Sequence, residues 1–190
     1  MSRIPQTLLF GVSISVLIAS NAAATSVPSQ TFEALTDHSE LVVSGRIARS
    51  WSDWDSEHKF IWTNYELTVS SVQKGAPGAT VVLSEPGGVV GIQGMTIPGV
   101  VSYQAGDQVL VFLQRMPNGY LRTTGWSQGK YTVDNAGRIH AEGSSHDLEV
   151  VGAQIGVAAS ATSLRSIDGI GIDELRRRIA TRLKMQGGKL

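Results

Sequence analysis

A serine flanked by glycines carries the most explicit chemistry in this sequence. The string GWSQG at residues 125–129 matches G-x-S-x-G, the sharp turn that exposes the nucleophile of α/β-hydrolases. Asp134 and His140 follow and could complete a triad around Ser127. That chemistry requires a turn from a strand into a helix, whereas residues 130–133 have the pattern of a strand. We therefore predict that the chain is not an enzyme, and a serine hydrolase using Ser127 is the remote alternative.

Two groups of acids and histidines resemble parts of metal sites. Asp53, Asp55 and Glu57 alternate as at the start of a calcium loop, but the glycine and the distal glutamate of an EF-hand are absent. A second group lies near the end of the β pattern: His140, Glu142, His146 and Asp147. Its spacing matches no zinc motif. We predict no metal and no cofactor, and leave calcium at the acidic loop open.

Four aromatic residues are concentrated around one predicted loop: Trp51, Trp54, Phe60 and Trp62. Three of the four tryptophans in the chain are among them. Such rings stack on sugars or anchor a protein partner, although they can also cover an open barrel end. The glycine-rich loop 86–99, which begins with Gly87 and Gly88, is the second candidate binding element. We predict that these six residues contact an unknown protein or glycan.

Short strands must position these residues. Alternating or continuous apolar patterns predict strands at residues 41–50, 65–72, 80–84, 108–114, 120–124, 130–133 and 138–141. The run at 108–114 is apolar on both faces, which predicts the central strand, buried on both sides. Turn sequences at 117–119 and 134–137 predict hairpins. Because no long helical periodicity separates the strands, we expect a mainly β domain over residues 25–142, a partly open OB-like barrel. A β-sandwich is the alternative.

The C-terminal segment 164–190 has a helical pattern. Ile172, Leu175, Ile179 and Leu183 recur at helical spacing, which predicts one amphipathic helix docked on the sheet. From Arg165 onward there are seven basic and three acidic residues, so this segment has a net charge of +4. We expect a solvated basic face, with a peripheral membrane-surface or polyanion contact as the alternative. Residues 143–163 are interpreted as a linker or irregular excursion.

The first 24 residues have the pattern of a signal peptide. Arg3 precedes an apolar core at 8–18, and three alanines end at Ala24, which predicts cleavage before Thr25. The exported chain would be periplasmic or extracellular, with no transmembrane segment after cleavage. The absence of cysteine excludes disulfides and thiolate chemistry and favours a bacterial source. The net charge of zero argues against nucleic acid as a partner.

The strand sequences also resemble known families. LVVSGRI at 41–47, YELTV at 65–69 and VQKG at 72–75 resemble the opening of netrin-like domains, which include the tissue inhibitors of metalloproteinases. EPGG at 85–88, GDQVLVFL at 106–113 and QGKY at 128–131 resemble a class of uncharacterised bacterial exported proteins. The resemblance implies an OB-type barrel. The inhibitors chelate zinc through an N-terminal cysteine, which this chain lacks, so that inhibition cannot operate here.

These observations together predict an exported, non-enzymatic binding module of unknown ligand. The ligand would be a glycan or a protein, with an exported protease as one candidate. A structural, envelope-associated protein without a discrete ligand is the alternative.

Overall fold

The computed structural model describes residues 30–141 and 167–187, and within them the chain is mainly β. The strands are β1 (Leu41–Trp54), β2 (Ile61–Lys74), β3 (Thr80–Pro86), β4 (Gly88–Val90), β5 (Gln93–Met95), β6 (Gln108–Arg115), β7 (Leu121–Thr123), β8 (Lys130–Val133) and β9 (Ile139–Ala141). The helices are α1 (Phe32–His38), α2 (Ile172–Gly187) and a 3-10 helix over Trp126–Gly129. The predicted signal peptide (1–24) and the predicted linker (143–163) lie outside the described residues.

Seven of the described strands form one antiparallel sheet in the order β3-β2-β1-β6-β8-β9, with β7 paired to β6. Strands β4 and β5 form a separate hairpin. The mainly β prediction with a C-terminal helix is therefore confirmed. The backbone ladders do not close this sheet into a barrel, and the β3–β7 junction described below is bridged by side chains instead.

Strands β1 and β2 are longer than predicted, and they carry residues that the sequence placed in a loop. Their ladder continues to the pair Trp54–Ile61, so Trp51, Trp54 and Trp62 lie on strands rather than around an open loop. The aromatic and β-branched residues here favour extended backbone, and only residues 55–60 remain for the turn. The prediction of a long loop was wrong at these positions.

Irregularities in the β1–β2 ladder allow the long strands to bend. The register shifts near Val42, Ser44 and Ile47, as expected for β-bulges. At Gly45 a Cβ atom would lie 2.0 Å from the carbonyl oxygen of Thr68, so no larger residue fits without moving the neighbouring strand. The close approach of β1 to β2 therefore depends on this glycine.

Both faces of the sheet are covered by apolar residues. The run that predicted a strand buried on both sides forms β6, where Val109, Val111 and Leu113 join one core and Leu110 and Phe112 join the other. The second core lies between the sheet and the two helices. There α2 buries Leu175 and Ile179, which confirms the predicted apolar stripe. None of the helices in the described ranges is long and apolar enough to cross a membrane.

Candidate functional site

The predicted aromatic residues divide between the two faces of the sheet. Trp62 pairs with Asp53 and Trp54 pairs with Ile61, and because neighbouring side chains alternate, Trp54 and Trp62 point to opposite faces. Trp54 stacks on His58, with ring centroids 6.3 Å apart. Phe60 is half exposed in the turn. Trp51 lies on the Trp62 face, where the Arg49 guanidinium is 4.9 Å from its ring.

Trp62 belongs to an aromatic group whose other members are distant in sequence. Its ring centroid is 4.6 Å from that of Tyr120. The Arg122 guanidinium lies 5.9 Å from the Trp62 ring and 5.4 Å from the Trp126 ring, so one cation contacts both. Sequence reasoning missed Tyr120, Arg122 and Trp126, because their proximity to Trp62 is created by the approach of β7 to β3. In the sequence, the one sign that these three residues could join such a group was that two are aromatic and one is cationic.

A buried carboxylate bridges β3 and β7. Glu85 Oε1 accepts a hydrogen bond of 2.7 Å from the backbone N–H of Thr123. Its Oε2 accepts two from Arg122, at 3.2 Å from Nε and 3.1 Å from Nη2. Burial raises the pKa of Glu85, and the bonds from Thr123 and Arg122 oppose that rise. Glu85 thus supplies, through its side chain, the connection that a backbone ladder would otherwise make.

The hydrogen-bonded network continues from this carboxylate into the interior. The Tyr103 hydroxyl and Thr123 Oγ1 are 2.6 Å apart. Lys130 is almost fully buried and donates to the carbonyl of Ser102 at 2.8 Å, with its Nζ 4.7 Å from the Tyr103 ring. Burial also raises the pKa of Tyr65, whose ring packs edge-on to that of Tyr103. These polar groups bind one another and stiffen the walls of the adjoining cleft.

An open cleft of about 290 Å³ lies beside the network. Its lining includes Glu85, Tyr65 and Thr63 from the sheet, and Gly88, Met95 and Ile97 from the excursion between β3 and β6. The cleft also includes Gly87, the other predicted glycine. None of the four predicted aromatic residues lines the cleft. Trp54 lies beyond its edge, because Ser52 and Thr63 lie beneath Gly88 and Trp54 follows Ser52 on the same face of β1.

Gly87 and Gly88 have a structural role in forming this cleft. Their φ angles are +107° and +135°, a region that side-chain-bearing residues rarely adopt. A Cβ atom on Gly88 would also lie 2.3 Å from Thr63 Oγ1 and 2.5 Å from Ser52 Oγ. Thr63 Oγ1 donates to the carbonyl of Gly87 at 2.7 Å. The two glycines let the chain cross closely over β1 and β2 and begin the β4–β5 hairpin.

Ser127 lies in a different setting from a hydrolase nucleophile. It belongs to the 3-10 helix between β7 and β8, so a strand follows the motif as predicted. His140 contacts Asp134 at 3.0 Å and Asp168 at 3.8 Å. The hydrogen bond from His140 is the main reason that the pKa of Asp134 lies below its usual value. Within residues 30–141 and 167–187, no hydrogen bond joins Ser127 to a histidine.

The acids considered as metal ligands are occupied locally or lie elsewhere. Asp55 accepts a bond of 2.7 Å from the backbone N–H of Lys59, as in a tight turn, and Glu57 pairs with the Lys59 ammonium. Across the described ranges, no three His, Asp or Glu side chains lie close enough together to hold a metal ion. Glu142, His146 and Asp147 lie outside the described residues.

The arginines of α2 are paired with acids rather than presented as a free basic face. The pairs are Arg176–Asp173, Arg177–Glu174, Arg178–Glu174 and Arg182–Asp37. The last pair joins α2 to α1, and the hydrogen bond from Arg182 lowers the pKa of Asp37. A peripheral contact through this helix would therefore have to compete with existing ion pairs.

No protein-family model matches this chain, and no curated protein matches it in sequence.

Proposed function

We propose that this chain is an exported, non-enzymatic binding module that holds a protein or glycan at the cleft between the sheet and the β4–β5 hairpin. The observation that carries the proposal is an open cleft of about 290 Å³ whose sheet wall is held by buried, hydrogen-bonded groups. Glu85, Arg122 and Thr123 hold one another across the β3–β7 junction. Rigid walls suit recognition, because a preformed site loses little conformational entropy on binding.

The strand neighbours support a partly open OB-like barrel as the architecture. Starting from β1, the path runs through β2 and β3, across to β7, and back through β6 to β1. Four of these five neighbour pairs are backbone ladders, and the fifth, β3 with β7, is bridged by the Glu85 carboxylate. This arrangement fits the resemblance to netrin-like domains, which is therefore kept as part of the proposal. Fold alone does not assign the ligand.

Export is the remaining part of the proposed function. The charged start, apolar core and alanine-rich end of residues 1–24 support a signal peptide cleaved near Ala24 and Thr25. The mature protein would then work in the periplasm or the extracellular medium. A chain without cysteine can operate in either place, since its stability does not depend on oxidation.

The test exposes the mature chain, starting at Thr25, to a glycan array and to the exported fraction of the producing organism. Retained molecules are identified and titrated against the wild type, Trp54→Ala and Val82→Ala. Trp54 is tested because it follows Ser52 on the face that Gly88 crosses, and Val82 is the control because it is exposed on β3 and lies neither in the cleft lining nor at that end of the β1–β2 ladder. A ligand lost by Trp54→Ala and kept by Val82→Ala supports the proposal. A folded wild type that retains no specific ligand on either arm contradicts it.

A further inference from the structure

We propose that the β4–β5 hairpin and the cleft beside it bind an extended, uncharged polypeptide segment, which adds as a strand along β5. This inference rests on the proposed binding function and names the ligand class. It commits to a peptide rather than to a sugar, a lipid surface or a second copy of the chain.

The hairpin exposes apolar side chains in a charge-free stretch. Residues 86–106 contain no Asp, Glu, Lys, Arg or His. Within this stretch Ile92, at the hairpin tip, is fully exposed, and Val89 is 66% exposed. Exposed apolar residues scattered singly are ordinary, but two on one uncharged hairpin beside a cleft indicate an interaction surface.

The outer edge of the hairpin is open to strand addition. Among the described strands, β5 pairs with β4 alone. Gly94, in the middle of β5, is exposed and has no side chain to shield its backbone. Natural edge strands are usually protected from pairing by charges, prolines or bulges, and β5 carries no charge and no proline. Backbone groups on such an edge can bind a peptide in extended conformation.

The cleft adjoins this edge and would select the side chains of the added strand. Gly94, Met95 and Thr96 all line it. Its volume of about 290 Å³ is at the lower limit of pockets for drug-sized ligands, about 300–1,000 Å³, so it suits the side chains of a peptide. Because Glu85 and Arg122 neutralise each other at its wall, a charged peptide side chain would lose hydration without gaining a partner.

The size of the hairpin argues against a second copy as the occupant. Strands β4 and β5 contain three residues each. Pairing two such strands buries far less than the roughly 1,200 Å² of a stable protein interface. A peptide that also fills the cleft gains contacts that a symmetric edge-to-edge pair would lack.

The experiment pans a phage library of random heptapeptides against the mature chain. The most enriched peptide is then synthesised with blocked ends and titrated by calorimetry. We expect enriched sequences that alternate apolar and uncharged polar residues. Methylation of the peptide nitrogens at alternate residues should weaken binding at least tenfold in one register and leave it nearly unchanged in the other, because a paired strand directs alternate N–H groups towards β5.

Matched variants locate the peptide on the protein. Ile92→Lys and Val89→Lys should each weaken binding at least tenfold. Val82→Lys, which introduces the same charge at an exposed valine outside the hairpin, should stay within twofold of the wild type. Because all three positions are exposed, none of the variants should prevent folding, and circular dichroism of each variant verifies this.

Several results would overturn the inference. They are the absence of enriched peptides, the enrichment of charged peptides, or an Ile92→Lys variant that binds the peptide as tightly as the wild type does. Dimerisation in sedimentation, or binding to phosphatidylglycerol vesicles, that is lost in Ile92→Lys would assign the hairpin to a second copy or to a membrane surface. Glycan binding that depends on Trp54 without peptide binding would reject this inference and keep the proposed function. Retention of neither ligand class would reject both.

Discussion

Replacement of Glu85 by alanine should destabilise the protein more than removal of any exposed ion pair. The Glu85 carboxylate is buried and accepts three hydrogen bonds across the β3–β7 junction, where no backbone ladder joins the strands. Its removal leaves the Thr123 N–H and the Arg122 guanidinium without this acceptor. Arg122 loses its ion-pair partner while its side chain is only 16% exposed.

The magnitude follows from these partners. Breaking a buried ion pair by removing one member costs about 3–5 kcal/mol. Because Arg122 retains some access to water, we expect the lower part of this range, about 3 kcal/mol, for Glu85→Ala. Glu85→Gln keeps an oxygen that can accept from Thr123 and loses the charge facing Arg122. The amide nitrogen of glutamine donates and cannot accept from Arg122, so both Arg122 bonds are lost, and Glu85→Gln should cost about 2 kcal/mol, less than Glu85→Ala because the Thr123 bond remains.

Urea unfolding followed by tryptophan fluorescence measures these costs, since Trp62 and Trp126 lie against Arg122. The matched control is Glu66→Ala, which removes an exposed pair with Arg49 and should cost about 0–1 kcal/mol. Free energies of unfolding within about 0.5 kcal/mol of each other for Glu85→Ala and Glu66→Ala would refute a stabilising bridge by Glu85 between β3 and β7.

Further predictions concern the strand contact and the helix contact. Gly45→Ala should lower the free energy of unfolding by about 3 kcal/mol or more, because its Cβ would collide with the Thr68 carbonyl. Gly78→Ala is the control and should change the free energy of unfolding by less than about 0.5 kcal/mol. Urea unfolding of both variants tests this. The Arg182 hydrogen bond lowers the pKa of Asp37, so the pair stabilises the fold above the ordinary value of 3.8 and loses that effect as pH falls through the lowered pKa. Asp37→Asn should therefore be less stable than the wild type near neutral pH, and the difference should shrink in acid; equal pH profiles of thermal stability for the two proteins would contradict this.

The local parts of the fold were predictable from the sequence. The continuous apolar run of β6 indicated burial on both faces, and the spacing of Leu175 and Ile179 indicated a docked helix. Each of these patterns depends on burial within a few residues, and burial is the strongest signal in a single sequence.

The elements around the candidate site were less predictable because they depend on contacts between distant segments. The β4–β5 hairpin lies within a glycine-rich stretch whose composition indicated a loop, and its conformation depends on Gly88 crossing over Thr63. The partners of Glu85 are 37 and 38 residues away, so no spacing rule connects them. Trp62 and Trp126 were both visible as aromatic residues, but Arg122 brings them together in three dimensions.

Calorimetric titration of the identified ligand against the wild type and Trp54→Ala tests the central claim most directly. Phe60→Ala, a half-exposed residue of the same hairpin end, serves if Trp54→Ala fails to fold. A ligand that spans the cleft and the adjoining Trp54 end of the β1–β2 ladder predicts at least a tenfold rise in Kd for the variant, with the thermal midpoint lowered by only a few degrees. An unchanged Kd in the folded variant would contradict the claim that this end of the sheet holds the ligand.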